Sequence, residues 1–113
     1  MRRIVGAAVV LAALAGCGGD DAPAEATASV DIQTFLFDPD PLTVEPGTAI
    51  TFTNRDKIDH TVTAGTREAP TPDVFDGRLP EQGTTFELVL DEPGTYDYFC
   101  AVHDGMTGRV VVS

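Results

Sequence analysis

Apolar and polar positions alternate along most of the chain beyond residue 29. Val30, Ile32 and Thr34 alternate with Asp31, Gln33 and Phe35, a period of two that predicts a strand. Leu42-Thr43-Val44 follows a turn-rich Asp38-Pro39-Asp40-Pro41. Residues 48–54 alternate with Ile50 and Phe52 on one face, and residues 60–63 read as a short strand after a polar loop. Asp73-Val74-Phe75 reads as a brief edge strand closed by Asp76-Gly77. Residues 84–90 place Phe86, Leu88 and Leu90 on one face, residues 95–100 do the same with Tyr96 and Tyr98, and residues 109–113 end the chain with three valines. Glu45-Pro46-Gly47 and Glu92-Pro93-Gly94 are turns, with proline setting one backbone angle and glycine allowing a left-handed one. No segment carries a helical stripe. Seven to eight short strands separated by Gly and Pro predict an all-β antiparallel sandwich. An immunoglobulin domain would want a Cys–Trp–Cys core, and this chain has no Trp and one cysteine within the alternating region.

The first part of the chain reads differently. Met1-Arg2-Arg3 is basic, and the twelve residues 4–15 are almost wholly small or apolar. That run is too short to span a bilayer comfortably, and its order of charged, apolar and small regions is that of a secretion signal. Leu14-Ala15-Gly16-Cys17 resembles the lipobox of bacterial lipoproteins, which implies lipidation of Cys17. The alternative is an ordinary signal peptide that contains a cysteine. Two arginines do not by themselves specify twin-arginine export. Residues 18–28 hold no bulky apolar side chain, so they read as a tether reaching roughly 20 Å. The expected organisation is a signal peptide at 1–16, a lipidated cysteine and tether at 17–28, and one domain at 29–113.

Charge narrows the partners. Cleavage before Cys17 would leave 97 residues with five basic against eighteen acidic side chains, a net charge of −13. Such a surface repels phosphate backbones and excludes nucleic acid as a partner. It suits a protein partner with a basic docking surface, although solubility alone would also account for it. A Cys17–Cys100 disulfide is the structural alternative for the two cysteines of an exported protein.

The chemistry concentrates in Cys100-Ala-Val-His103-Asp-Gly-Met106. A thiolate, an imidazole and a thioether fall within seven residues, and His60, the other of only two histidines, lies forty residues upstream. Two His, one Cys and a weak axial Met form the ligand set of a blue-copper centre. Cys100 ends one strand and Arg109 begins the next, so the loop between them can turn His103 and Met106 toward Cys100, with Gly105 and Gly108 allowing tight backbone conformations. His60 must come from a neighbouring strand end. Taken singly the pieces are weak: Cys-x-x-His occurs in zinc sites, a lone His is usually a surface residue, Met is usually filler, and Tyr96 and Tyr98 read as packing.

These residues resemble the cupredoxins of the plastocyanin, amicyanin and pseudoazurin kind. The resemblance runs from about Phe35 to Val112 through Phe37-Asp38-Pro39, Leu42-Thr43-Val44, Pro46-Gly47-Thr48, Phe52-Thr53-Asn54, Phe75-Asp76-Gly77 and the stretch 93–100, then His103, Met106 and Gly108. The Cys-x-x-His-x-x-Met spacing is closer to amicyanin and pseudoazurin than to plastocyanin. The resemblance implies a Greek-key sandwich with one type 1 copper ion, His60, Cys100 and His103 as trigonal ligands, Met106 as the long axial one, and His103 as the electron port within an apolar patch that includes Ala101 and Val102. Two departures stand out: Asp59 replaces a frequent proline before the first histidine, and Thr61 replaces a frequent asparagine after it.

The expected function is single-electron transfer between redox proteins by a monomer, not an enzyme, since this ligand set leaves no position for substrate. Its expected location is exported, periplasmic or extracytoplasmic, anchored to the membrane by lipid on Cys17. The competing reading is a copper-binding or copper-delivery protein, although the chain has one Met beyond the initiator and no Met- or His-rich cluster. A metal-free scaffold and a fragment of a multicopper system are weaker alternatives.

Overall fold

The two-residue periodicity resolves into two stacked sheets. The computed structural model describes residues 26–113, so the expected signal peptide, Cys17 and all but the last residues of the expected tether lie outside the described residues. The strands are β1 (Thr27–Gln33), β2 (Leu36–Asp38), β3 (Leu42–Val44), β4 (Ala49–Asn54), β5 (His60–Ala64), β6 (Asp76–Leu79), β7 (Thr85–Val89), β8 (Gly94–Phe99) and β9 (Thr107–Val112). One sheet has the order β2-β1-β4-β7 and the other β3-β9-β8-β5-β6. The expected β-sandwich is present with nine strands. Its sheets are mixed: β1 runs parallel to β4 and β3 parallel to β9, while the other pairings are antiparallel. Chain direction explains this, because the proline-rich segment 39–41 carries the chain from one sheet to the other without reversing it.

Inward positions of both sheets form a single core. Val30, Ile32, Phe37, Ile50, Phe52 and Leu88 face Val62, Leu79, Tyr98, Val110 and Val112. The Tyr98 ring bridges the layers, edge-on to Phe37 at 4.7 Å and to Phe52 at 5.4 Å. Each fully buried Phe, Ile or Val contributes on the order of 1.5–3 kcal/mol from removal of apolar surface.

Four local readings are corrected. β1 begins at Thr27, within the segment read as tether, because Thr27 and Ala28 pair with Ala49 and Ile50. Thr34 and Phe35 do not continue β1. They form a two-residue turn into β2, both with positive φ, 58° and 63°. The strand read at 73–75 forms instead at Asp76–Leu79, and Gly77 lies within it because a Cβ there would penetrate the Phe86 ring. Gly105 has the left-handed φ of 74° expected of the ligand loop. Gly108 does not. It lies in β9, where a Cβ would strike the Tyr98 ring, so its need is space.

The topology gathers one set of strand ends at a single pole. His60 pairs with Leu79, Thr63 with Phe99 and Phe99 with Thr107, so the start of β5, the end of β8 and the start of β9 lie side by side. The β1–β2 turn and the β4–β5 loop reach the same pole through the pairing of Ile32 with Asn54.

Candidate metal centre

Register builds the site. β5 and β8 are antiparallel neighbours, which places His60 beside Cys100 although forty positions separate them. Donor atoms of His60, Cys100 and His103 all lie within 4.8 Å of one another. His60 and Cys100 are fully buried, and His60 Nδ1 is 3.7 Å from Cys100 Sγ. Met106 is also buried, and its carbonyl accepts the Cys100 N–H at 2.9 Å, closing the loop that carries His103. Three of the four expected ligands thus converge, and the fourth, Met106, is buried at the end of the same loop.

Hydrogen bonds fix which ring nitrogens remain free. His60 Nε2 donates to Asp56 Oδ2 at 2.8 Å, and His103 Nε2 donates to the Asp59 carbonyl at 2.9 Å. Each imidazole thereby carries its proton on Nε2 and keeps a lone pair on Nδ1, the arrangement that metal-bound histidines require. Beside them lies the buried Cys100 thiol, with the Thr61 N–H 3.4 Å from Sγ. Two imidazole lone pairs and one cysteine sulfur fit copper in either oxidation state better than they fit a hard cation.

Asp56 does more than orient His60. Its carboxylate also accepts the N–H of Thr34 at 2.9 Å and of Phe35 at 3.2 Å. Both residues sit in left-handed backbone, unfavourable for a bulky side chain, and the carboxylate offsets that strain. Burial pushes the Asp56 carboxyl up, but the donors Thr34, His60 and Phe35 together outweigh it and hold the carboxyl below its ordinary 3.8. Asn54, fully buried, accepts the Asp56 N–H at 2.8 Å and donates to the carbonyls of Ile58 and Leu79 at 2.7 and 2.9 Å. The turn so held sets Phe35 edge-on to both imidazoles, with ring centroids 5.9 Å from His60 and 5.1 Å from His103.

The two departures from the cupredoxin pattern have structural roles. Thr61 Oγ1 accepts the Ala101 N–H at 2.8 Å, which ties β5 to the ligand loop. Asp59 supplies the carbonyl under His103, and its side chain pairs with Arg78.

Sequence reading did not find Asp56, Arg67 or the part that Phe35, Leu36 and Ile58 take in the apolar surface expected at Ala101 and Val102. Phe35, Leu36, Ile58 and Val102 are four of the six large apolar side chains exposed among the described residues, and all lie on loops or strand ends of this pole. A signal for two of them was present: in Phe35-Leu36-Phe37 one alternating face cannot accept three consecutive apolar residues. Two surface clefts of about 380 Å³ each are lined by other residues, one by Asp40, Tyr98, Thr107 and Arg109 among others, and none of the four expected ligands lines either.

Residues 24–113 match the family of copper binding proteins of the plastocyanin/azurin type. Amicyanin-alpha of Methylorubrum extorquens is 34% identical over 92 residues, which is 81% of this chain and 76% of that one. The major plastocyanin isoform of Arabidopsis thaliana is 33% identical over 116 residues, 95% of this chain and 70% of the relative. Among solved structures, a purple cupredoxin from Nitrosopumilus maritimus superposes with a TM-score of 0.69 at 27% identity, covering 76% of this chain and 99% of that one. A Cu(I) amicyanin variant gives 0.66 at 30% identity, covering 77% and 82%. With the His–Cys–His cluster at the pole, these matches place the chain in the plastocyanin/azurin family of copper-binding proteins, with one copper ion as its cofactor.

Proposed function

We propose that the protein is a single-electron carrier whose copper is held by His60, Cys100 and His103, with Met106 as the weak axial ligand. The observation that carries this reading is the convergence of three donor atoms within 4.8 Å at a pole covered by an aromatic ring. Copper supplies the one-electron couple. The chain supplies a cage that need not rearrange: Asp56 and Asp59 fix the imidazoles, Thr61 and the Met106 carbonyl fix the loop, and Phe35 keeps water from the rings. Little reorganisation between oxidation states is the requirement for fast transfer, and three strong ligands with one weak sulfur are a compromise between their preferences.

His103 is the proposed electron port. It is the less buried of the two imidazoles, and Phe35, Leu36, Ile58 and Val102 give a partner an apolar landing surface around it. The partners are other redox proteins. We further propose export, removal of residues 1–16, and anchoring through lipid on Cys17 at the outer face of a cell membrane, with the domain acting as a monomer.

The test is to compare two rates in the copper-loaded soluble domain. Electron exchange between Cu(I) and Cu(II) forms, measured by rapid mixing, should be fast, while copper loss to an external chelator should be slow. Rapid release with sluggish exchange would overturn the carrier reading in favour of copper delivery.

A further inference from the structure

Arg67 lies outside the donor set, yet its guanidinium reaches the chain that carries the donors. Nη2 donates to the Cys100 carbonyl at 2.8 Å and to the His103 carbonyl at 2.6 Å, spending its two hydrogens on the two ligand residues of the loop. Nε faces Asp104 Oδ1 at 3.6 Å, and the guanidinium carbon lies 5.5 Å from the centre of the Phe99 ring. Four neighbours in the segment 99–104 thus meet one side chain.

The base from which Arg67 reaches is itself held. Gly65 and Pro70 form an isolated bridge, and Thr66 and Ala69 exchange backbone hydrogen bonds of 3.3 and 3.1 Å, so Arg67 sits at the tip of a closed turn. The Gly65 N–H donates to the Asp97 carbonyl at 2.8 Å, fastening that turn to β8, the strand that ends at Phe99 just before Cys100. Gly65 has a φ of 97° and no room for a side chain against the Ala69 carbonyl, so the turn requires glycine at its base.

We propose that Arg67 is a positioning residue for the metal centre. It clamps the Cys100–His103 segment in its ligand geometry before metal arrives, and its fixed charge favours the reduced ion. The inference rests on the copper reading above for its second part only. Reach matters to the clamp, because a lysine ammonium ends one bond short of the Nη2 that serves both carbonyls. The charge acts by simple electrostatics. With a thiolate ligand the oxidised centre is one unit more positive than the reduced one, so a nearby cation disfavours oxidation. Partial exposure of Arg67 screens this, and added salt should weaken it.

Two variants separate the roles. Arg67→Met keeps the apolar stem and removes both donors and charge; Arg67→Lys keeps the charge. In the copper-free protein, amide hydrogen exchange at residues 101–106 should quicken about tenfold in Arg67→Met, the size expected for losing one net charge-assisted hydrogen bond, with strand amides of β4 and β8 unchanged. In the loaded protein, copper release should quicken by a similar factor and the reduction potential should fall. Arg67→Lys should restore the potential but not the release rate. Unchanged loop exchange in Arg67→Met overturns the clamp. Exchange that quickens equally in strands and loop also overturns it, showing a general structural residue. A potential that stays fixed in Arg67→Met, or falls equally in Arg67→Lys, overturns the charge effect. Failure of the wild-type protein to bind copper would sink the copper reading while leaving the exchange experiment intact.

Discussion

Replacing Asp56 by Asn changes one atom's chemistry and leaves the shape. In the native protein Oδ1 accepts from the Thr34 N–H, and Oδ2 accepts from both the Phe35 N–H and His60 Nε2. An amide has a single oxygen. With that oxygen in the Oδ2 position, the amide NH2 faces the Thr34 N–H, donor against donor; with the amide reversed, two donors are orphaned. The Thr34 N–H lies at the surface, where water can take up part of the lost bond, so the net loss is about 0.5–1.5 kcal/mol. Weaker hydrogen bonds to a neutral acceptor add to that. The turn at Thr34 and Phe35 loses part of what offsets its left-handed backbone, a strain of about 1–3 kcal/mol per residue. The copper-free Asp56→Asn protein should therefore be less stable by about 1 kcal/mol in equilibrium urea unfolding, toward the middle of that range. Copper affinity, by competition with a chelator, should fall about tenfold, the lower end for losing a partner behind a ligating histidine, because one oxygen can still serve His60. Asp56→Glu should recover part of the loss and Asp56→Ala should exceed it. Native stability together with native affinity in Asp56→Asn would refute the claim that one carboxylate supports both the aromatic cover and the ligand.

Four further outcomes follow from other parts of the molecule. Tyr98 OH is buried without a hydrogen-bond partner, so Tyr98→Phe should leave stability unchanged or raise it by up to about 1 kcal/mol, and a loss beyond that in thermal unfolding would mean the hydroxyl is paired. Burial, with Asp40 nearby, raises the Tyr98 pKa above its ordinary 10.0, so its stabilisation is complete below that value and declines as pH rises beyond it; unfolding midpoints measured from pH 8 upward should show a decline that Tyr98→Phe removes. Gly77→Ala forces a methyl into the Phe86 ring and should cost about 1–3 kcal/mol, a penalty that shrinks in a Phe86→Ala background when both are measured by urea unfolding. Residues 26–113 carry five basic against fifteen acidic side chains, so two copies repel, and electron self-exchange should speed up with added salt; a rate that falls with salt would contradict this.

The sandwich and the donors were legible because each leaves a mark in one dimension. Alternation at Ile50, Phe52, Leu88 and Tyr98 states which side chains face inward, and a segment 29–113 with two histidines and one cysteine offers few ways to assemble such a site. The β1–β2 turn was not legible. Two-residue hairpin turns with positive φ ordinarily carry Asn or Gly, and Thr34-Phe35 carries neither, because its conformation is supported from twenty-two positions away by Asp56. The shift of β6 to Asp76–Leu79 had the same origin. Glycine reads as a strand breaker, but Gly77 is in the strand to make room for Phe86, a contact between sheets. Arg67 gave no signal, since a lone arginine in a polar loop has no pattern until the fold brings two carbonyls to it. In each case the missing information was a tertiary contact between distant segments.

The central claim is best tested on the copper-reconstituted domain by visible absorption and electron paramagnetic resonance, with Cys100→Ser as the control. Ligation by the Cys100 thiolate and two imidazoles predicts an intense visible charge-transfer band and a narrow copper hyperfine splitting, both lost in Cys100→Ser. A colourless holoprotein with wide hyperfine splitting, unchanged by that substitution, would contradict it.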